Sequence, residues 1–140
     1  MPERRHARGM IDTSVVIDFE RVDPEDLPEE LAVSAITLAE LAAGPHATTD
    51  AEERARRQDR LQRTEATVDP LPLDAAAARA FGRLYAAVVA GGRKARGRRA
   101  LDLLIAATAL GADLPLYTRN PDDFSGLTGV LETHAVEVVA

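Results

Sequence analysis

The sequence contains no cysteine and no tryptophan, and aromatic residues make up only 4% of its 140 residues. The lack of cysteine excludes disulfide bridges and thiolate metal sites, and it is typical of a cytoplasmic protein. Because large aromatic side chains are scarce, the core has to be built from Ala, Leu, Val and Ile. The hydrophobic content of 46% is ordinary for globular proteins, so we expect one domain with a core of normal size.

Long hydrophobic runs are also missing. No stretch approaches the ~20 apolar residues that cross a membrane, and the basic N-terminus is not followed by the apolar segment of a signal peptide. We therefore expect no membrane partner. Residues 1–9 are predicted to form a flexible arm, and Met10 is an alternative start of the chain. Residues 10–140 are predicted to form the single domain.

The net charge is −6, but the two signs are segregated along the chain. Acidic residues crowd positions 18–30, whereas basic residues crowd positions 54–63 and 93–99. The second basic stretch belongs to a glycine-rich segment, residues 91–99, that lacks the spacing of a phosphate-binding P-loop. The motif GxGxxG is absent as well, so no nucleotide cofactor is inferred. A solvated loop and a loop that contacts phosphates are equally consistent with this segment.

Apolar runs and helical periodicities alternate along the chain. Strands are predicted at 10–13, 31–34, 114–118 and 135–139, and helices at 14–20, 37–43, 49–67, 75–90 and 100–110. Thr13 or Ser14 is predicted to cap the first helix, and Asp74 the fourth. Helices that alternate with strands indicate a parallel sheet covered by helices.

Three carboxylates fall at strand ends or helix starts. Asp12 follows the first strand, Glu40 lies in the first turn of a helix that Thr37 is predicted to cap, and Asp102 lies in the first turn of the most apolar helix. Each has a structural alternative. Asp12 can be an N-cap, Glu40 can close a capping box with Thr37, and Asp102 gains from the helix dipole.

The same acids are also expected to face one crevice, because the carboxyl ends of parallel strands meet at one edge of a sheet. Two unit charges ~4 Å apart repel by ~4 kcal/mol at an effective dielectric of ~20, so crowded acids favour a bound cation. Oxygen ligands without His or Cys suit Mg²⁺ or Mn²⁺ better than Zn²⁺. A further polar cluster, residues 119–123, follows the third predicted strand, with an Asn-Pro turn as its structural alternative.

Four motifs together resemble a known family. They are Ile-Asp-Thr-Ser at 11–14, Thr-Leu-Ala-Glu-Leu at 37–41, Asp-Leu-Leu-Ile-Ala-Ala at 102–107 and Tyr-Thr-Arg-Asn-Pro-Asp-Asp-Phe at 117–124. Their order and spacing resemble the PIN domains, specifically the VapC-type toxin ribonucleases of bacterial toxin–antitoxin pairs. The resemblance implies a three-layer α/β/α fold with a short, mainly parallel sheet. It also implies an endoribonuclease that depends on Mg²⁺ or Mn²⁺ and inhibits translation and growth.

The resemblance further implies roles for individual residues. Asp12, Glu40 and Asp102 take the positions of the family's metal-binding acids. The family often has a fourth acid where this chain has Asn120, so a neutral Asn120 or an aspartate close behind it, Asp122 or Asp123, is expected to act there. The catalytic set implied in this way is Asp12, Glu40, Asp102, Asn120 and Asp123, supported by Thr13, Ser14 and Thr118.

The partners implied by the resemblance are a VapB-type antitoxin, an RNA substrate and a second copy of the chain. The basic residues predicted to contact RNA or the antitoxin are Arg96, Arg98, Arg99 and Arg119. Three other interpretations stay open: a PIN nuclease of RNA maturation or DNA flaps, a non-catalytic interaction module of the same fold, and a phosphotransfer receiver. A receiver would need a late lysine, whereas the one lysine of the sequence, Lys94, lies in a loop.

Overall fold

The computed structural model describes residues 6–94 and 96–139. Within these ranges, the structure has four short strands and five α-helices. The elements are β1 (Arg8–Ile11), α1 (Thr13–Ile17), β2 (Glu30–Ala32), α2 (Ala35–Ala43), α3 (Ala51–Thr67), α4 (Ala75–Ala90), α5 (Arg98–Gly111), β3 (Leu116–Thr118) and β4 (Thr133–Ala135). Short 3-10 helices span Phe19–Arg21, Pro24–Asp26, Gly44–Ala47 and Pro121–Leu127.

The four strands form one parallel sheet in the order β2-β1-β3-β4. Met10 of β1 lies opposite Ala32 of β2 and Leu116 of β3, and Thr118 at the end of β3 lies opposite Ala135 of β4. The prediction of a parallel sheet is confirmed. Its consequence is that the residues after β1 and after β3 lie side by side at the same edge.

Helices cover both faces of the sheet. Met10 and Leu116 pack with α4, α5 and the 121–127 helix, whereas their neighbours Ile11 and Tyr117 pack with α1, α2 and α3. This division follows from the pleat of a strand, which sends successive side chains to opposite faces. The predicted three-layer α/β/α arrangement is therefore confirmed.

The packing of α4 against α5 is close because small residues line it. Gly111 at the end of α5 touches the start of α4: a Cβ atom on Gly111 would lie 2.7 Å from the backbone nitrogen of Ala77. Buried alanines continue the contact along both helices, among them Ala80 and Ala106. Close approach of the two backbones is how this domain builds a tight core with few aromatic side chains.

We expect Gly111→Ala to destabilise the fold by about 1–3 kcal/mol, because the added methyl group would force two helix backbones apart. Gly82→Ala is the matched control: Gly82 lies inside α4, and a Cβ there meets nothing within 4 Å. This control should raise the stability by about 0.5–1 kcal/mol, since alanine is the better helix former. Urea unfolding of both variants measures the difference, and a stabilising Gly111→Ala would contradict the packing described here.

The strand bounds differ from the predicted ones. β1 begins at Arg8, so Arg8 and Gly9 do not belong to the predicted arm, whose residues 1–5 lie outside the described part of the chain. Glycine has a low strand propensity, but Gly9 lies under the Tyr117 ring, where a Cβ would come within 2.6 Å of a ring carbon. Tertiary contact therefore extends the strand where local propensity does not.

The other three strands are shorter than predicted. β2 spans Glu30–Ala32 instead of 31–34, β3 spans Leu116–Thr118 instead of 114–118, and β4 spans Thr133–Ala135 instead of 135–139. Val138, predicted to lie in the last strand, forms an isolated antiparallel bridge with Val22. The alternation of Val and Glu near the C-terminus thus marks a bridge and not a regular strand.

The caps of two helices differ from the predictions, and the cap of a third agrees. Asp12, and neither Thr13 nor Ser14, caps α1. Ser34, not Thr37, caps α2 by accepting the Ile36 N–H at 3.0 Å. The spacing of Thr37 and Glu40 imitates a capping box, but Thr37 is fully buried three residues further along the chain. Asp74 caps α4 as predicted.

The start of α5 changes the position of Asp102. The helix begins at Arg98, so Asp102 is its fifth residue and lies beyond the first turn. Arg98 and Arg99 belong to the helix and not to the preceding loop. Among the described residues, no helix is long and apolar enough to pass through a lipid bilayer.

Candidate active site at the carboxyl ends of β1 and β3

The predicted site residues gather at the edge of the sheet where β1 and β3 end. Asp12 directly follows β1, and Thr118 is the last residue of β3. Glu40 comes from α2, which contacts both α1 and α5, and Asp102 comes from α5. The parallel sheet and two helices thus bring together residues that are more than a hundred positions apart in the sequence.

Asp12 is held by several donors. The carboxylate is 5% exposed, and its Oδ1 accepts the Ser14 hydroxyl at 2.5 Å and the Val15 N–H at 3.2 Å. The Thr118 hydroxyl is a further hydrogen-bond partner of this carboxylate. Burial raises the pKa of Asp12 above its ordinary value of 3.8 although these hydrogen bonds pull it down. Capping α1 accounts for one of these bonds; the others orient the carboxylate.

Two main-chain amides from the segment after β3 complete this arrangement. The Arg119 N–H donates to Ser14 Oγ, and the Asn120 N–H donates to Thr118 Oγ1, both at 3.0 Å. With an acceptor position filled in this way, each hydroxyl is left to donate its proton to Asp12. The contribution of Asn120 to this network is made by its backbone, which an asparagine supplies as well as an acid would.

Glu40 is oriented by a pair of buried threonines. Thr13 Oγ1 lies 2.8 Å from Glu40 Oε1 and 3.0 Å from Thr37 Oγ1, and both threonines are at most 5% exposed. A hydroxyl has one proton, so Thr13 donates to the carboxylate and accepts from Thr37. Thr13 thereby holds the Glu40 carboxylate, which does not close a capping box at the start of α2.

Asp102 is the residue on which the charges converge. Desolvation by burial is the largest cause that raises its pKa to about 6, and repulsion from Asp123, Asp12 and Glu40 adds to the rise. Arg98 acts in the opposite direction. Asp12, Glu40 and Asp123 therefore lie near enough to Asp102 to repel its carboxylate, and we call the region around these four acids the crevice.

Basic side chains border this crevice. Arg98 Nη1 lies 3.7 Å from Glu40 Oε2, and most of the Arg98 side chain is exposed. Arg99 lines a small cleft together with Asp102, Asp123 and Arg93. The start of α5 therefore offers positive charge next to the acids, where an anionic chain would approach.

Other predicted residues are not brought into the crevice by described side-chain contacts. The side chains of Asn120 and Asp122 are exposed, and Arg96 is exposed in the segment before α5. Arg119, predicted to contact RNA or an antitoxin, pairs with Asp18 at the end of α1. This ion pair links the segment after β3 to α1, and the contact of Arg119 with RNA or an antitoxin stays a prediction.

Two contributors were missed at the level of sequence. Thr37 was interpreted only as a cap, although it lies inside the Thr-Leu-Ala-Glu-Leu motif on which the resemblance rests. Asp18 had no local signal, since its partner Arg119 is 101 residues away. Only the pairing of β1 with β3 brings Asp18 and Arg119 together.

The donor set fits a hard divalent cation. Asp12, Glu40, Asp102 and Asp123 offer only oxygen atoms, which Mg²⁺ and Mn²⁺ prefer. Burial raises the pKa of Asp102, and repulsion from the neighbouring carboxylates adds to the rise. A cation between these carboxylates would relieve that repulsion. We find no conflict between the residues present and such a metal.

A separate groove lies on the side of the sheet covered by α1 and α3. Its volume is about 480 Å³. The floor is apolar and includes the exposed side chains of Ile17 and Phe19, while Arg56, Arg60 and Arg63 of α3 line it on one side. An apolar floor with a charged border is typical of a surface that receives another chain.

Comparison with known proteins agrees with this geometry. Residues 9–129 match the family model described as PIN domain. The chain is 36% identical over 135 residues to Ribonuclease VapC5 of Mycobacterium tuberculosis, which covers 94% of this chain and 96% of the relative. This chain is a PIN-domain protein of the VapC family. Ribonuclease VapC8 of the same species is 38% identical over 110 residues, 78% of this chain and 96% of that protein.

A solved VapC-family structure shares the fold. The crystal structure of VapBC-5 from Mycobacterium tuberculosis, a member of the VapBC family of toxin–antitoxin systems, matches with a TM-score of 0.81 and 36% identity. The match covers 94% of this chain and 99% of that one. The predicted PIN fold and VapC family are thus confirmed, and the segment matched to the PIN domain includes every acid of the crevice.

Proposed function

We propose that this PIN domain is an endoribonuclease that acts as the toxin of a toxin–antitoxin pair, and that it hydrolyses RNA phosphodiesters with the help of Mg²⁺ or Mn²⁺. The observation that carries the proposal is the convergence of Asp12, Glu40 and Asp123 on Asp102. The VapC relatives named as ribonucleases supply the substrate class.

The acids are assigned distinct parts in this reaction. Asp12 and Asp102 are the main metal ligands, since they come from β1 and α5 at the centre of the crevice. Glu40, held by Thr13, either binds the metal through water or orients the attacking water. A bound divalent cation supplies Lewis-acid activation of water and neutralises the charge that develops on the phosphate.

Ser14 and Thr118 are positioning residues in this scheme. Their hydroxyls hold the Asp12 carboxylate in one orientation, which a ligand needs if the crevice is to be ready before RNA arrives. Asp123 is assigned the family's fourth acidic position, because its carboxylate repels that of Asp102. Arg98 and Arg99 are assigned to the RNA phosphates or to an acidic residue of the antitoxin.

A VapB-type antitoxin and a second copy of the chain are the proposed partners. The solved VapBC-5 relative is a member of a toxin–antitoxin family, and the groove near Ile17 and Phe19 offers an apolar surface for another chain. A role as a non-catalytic module is the second candidate; it is disfavoured because such a module would have no use for four repelling acids in one crevice.

The function is tested with purified chain and structured RNA. We expect cleavage in Mg²⁺ or Mn²⁺ and none in excess chelator, because the carboxylate-only site has no other source of an activated water. Restoring the metal must restore cleavage, which shows that the chelator did not unfold the protein. Cleavage at full rate in chelator would overturn the metal-dependent mechanism, and inactivity under every condition would favour the interaction module.

A further inference from the structure

A cluster of two histidines and a glutamate lies at the end of the sheet away from the acidic crevice. Nε2 of His6 and Nε2 of His134 each lie 2.7 Å from the same atom, Glu132 Oε2. One ligand atom from each residue can be chosen so that all three lie within 4.8 Å of one another. His6 precedes β1 and Glu132 precedes β4, whereas Asp12 and Thr118 stand where β1 and β3 end.

The three side chains are held in place by the sheet and by ring packing. His134 stacks on Tyr117 with ring centroids 4.8 Å apart, and His6 packs edge-on against His134 at 5.1 Å. Main-chain hydrogen bonds fix the chain nearby: the carbonyls of His6 and Glu132 accept amides at the entry to β2 and at the start of β3, at 3.1 and 2.9 Å. These ligand atoms converge from segments that the fold has already ordered.

We propose that His6, Glu132 and His134 form a binding site for a divalent transition cation, with Zn²⁺ as the best fit. Two imidazole nitrogens and one carboxylate oxygen are a ligand set that zinc takes at ~2.0–2.2 Å, whereas Mg²⁺ prefers oxygen alone. The side chains are 36–56% exposed, so an ion can reach them. Binding displaces any Nε2 protons to solvent and leaves a fourth position for water.

Such an ion would join the segment before β1 to the edge strand β4 across β3. β4 is an edge strand of only three residues, so a link of this kind would reinforce that edge of the sheet. The structural alternative is a carboxylate that two imidazole N–H groups share as donors. That alternative accounts for the 2.7 Å contacts without an ion, so binding has to be measured.

The experiment titrates tag-free, metal-stripped full chain with Zn²⁺ alone in an isothermal calorimeter. We expect one tight zinc per chain, lost in His6→Ala and in His134→Ala and weakened by about tenfold or more in Glu132→Gln. His46→Ala is the matched control, because His46 is the remaining histidine of the sequence and is exposed on the 44–47 helix. It should bind zinc as the wild type does.

Two further measurements separate this site from the acidic crevice and from misfolding. The double variant Asp12→Asn/Asp102→Asn should keep the zinc, and zinc should raise the melting temperature of the wild type but not of His6→Ala. His6 lies outside the strands, so His6→Ala carries the test if His134→Ala fails to fold. The proposal is overturned if the wild type binds no zinc at micromolar concentrations, or if binding survives His6→Ala, or if it disappears with the acids of the crevice.

Discussion

The Asp102→Asn variant is expected to lose RNA cleavage by more than about 100-fold while it folds as well as the wild type or better in metal-free buffer. The amide has nearly the size of the carboxylate, so no cavity forms. It is a much poorer ligand for Mg²⁺, and it removes the charge that Asp12, Glu40 and Asp123 repel. The substitution loses little helix-dipole stabilisation of the carboxylate, because Asp102 lies beyond the first turn of α5.

The same substitution should change how stability depends on pH. The pKa of Asp102 is raised from 3.8 to about 6 in the folded protein. Between these values the folded state holds a proton that the unfolded state has lost, so the stability falls as the pH rises through this window. Solvent screens the half-buried group, so we expect Asp102→Asn to gain only about 1 kcal/mol above pH ~6.

Thermal melting in chelator across this pH range, beside an RNA cleavage assay, measures both effects. Asp113→Asn is the matched control: Asp113 is an exposed aspartate just after the same helix, and its positive φ of 57° suits asparagine. The control should keep full activity and an unchanged pH profile. If Asp102→Asn melts lower in chelator and still cleaves RNA, Asp102 has only a structural role and the site assignment is wrong.

The triple variant Arg96→Ala/Arg98→Ala/Arg99→Ala is expected to weaken RNA binding by more than about tenfold for every sequence tested. Arg98 and Arg99 stand beside the acids at the start of α5, where the phosphates of a bound RNA would pass. Each phosphate contact contributes about 0.7–0.9 to the slope of log affinity against log salt. The loss of three contacts should therefore flatten that slope by about 2–3.

Binding has to be measured apart from cleavage, because Arg98 also acts on Asp102. The triple variant and its reference protein therefore both carry Asp102→Asn, and their affinity for RNA is followed by fluorescence anisotropy over a range of salt concentrations. Arg79→Ala serves as the control: Arg79 is exposed near the start of α4, at the end of α5 opposite Arg98. An unchanged salt slope in the triple variant would show that these arginines serve an antitoxin or solubility and not the RNA.

Much of the fold could be predicted because its signals are local. One stretch of apolar periodicity and one polar residue are enough to predict the helix Ala75–Ala90 and its Asp74 cap. The parallel sheet was predicted from the sequence of predicted strands and helices. The cap at Ser34 was missed, and the cap at Asp12 was one of several candidates, since neighbouring residues carry the same chemistry. Which of Ser34 and Thr37 caps α2 depends on their positions in the folded protein, and these positions cannot be read from the sequence.

The sequence by itself determined the α/β class and the family, because both follow from short motifs and from their order along the chain. It also predicted Asp12, Glu40 and Asp102 as the acids of the site. Only the tertiary structure decided which groups support them. It joined Arg119 to Asp18, set the amide of Asn120 behind Thr118, and brought His6 against Glu132 and His134. These contacts depend on the order of strands in the sheet, which brings distant segments side by side. That order cannot be read from the sequence of any single segment.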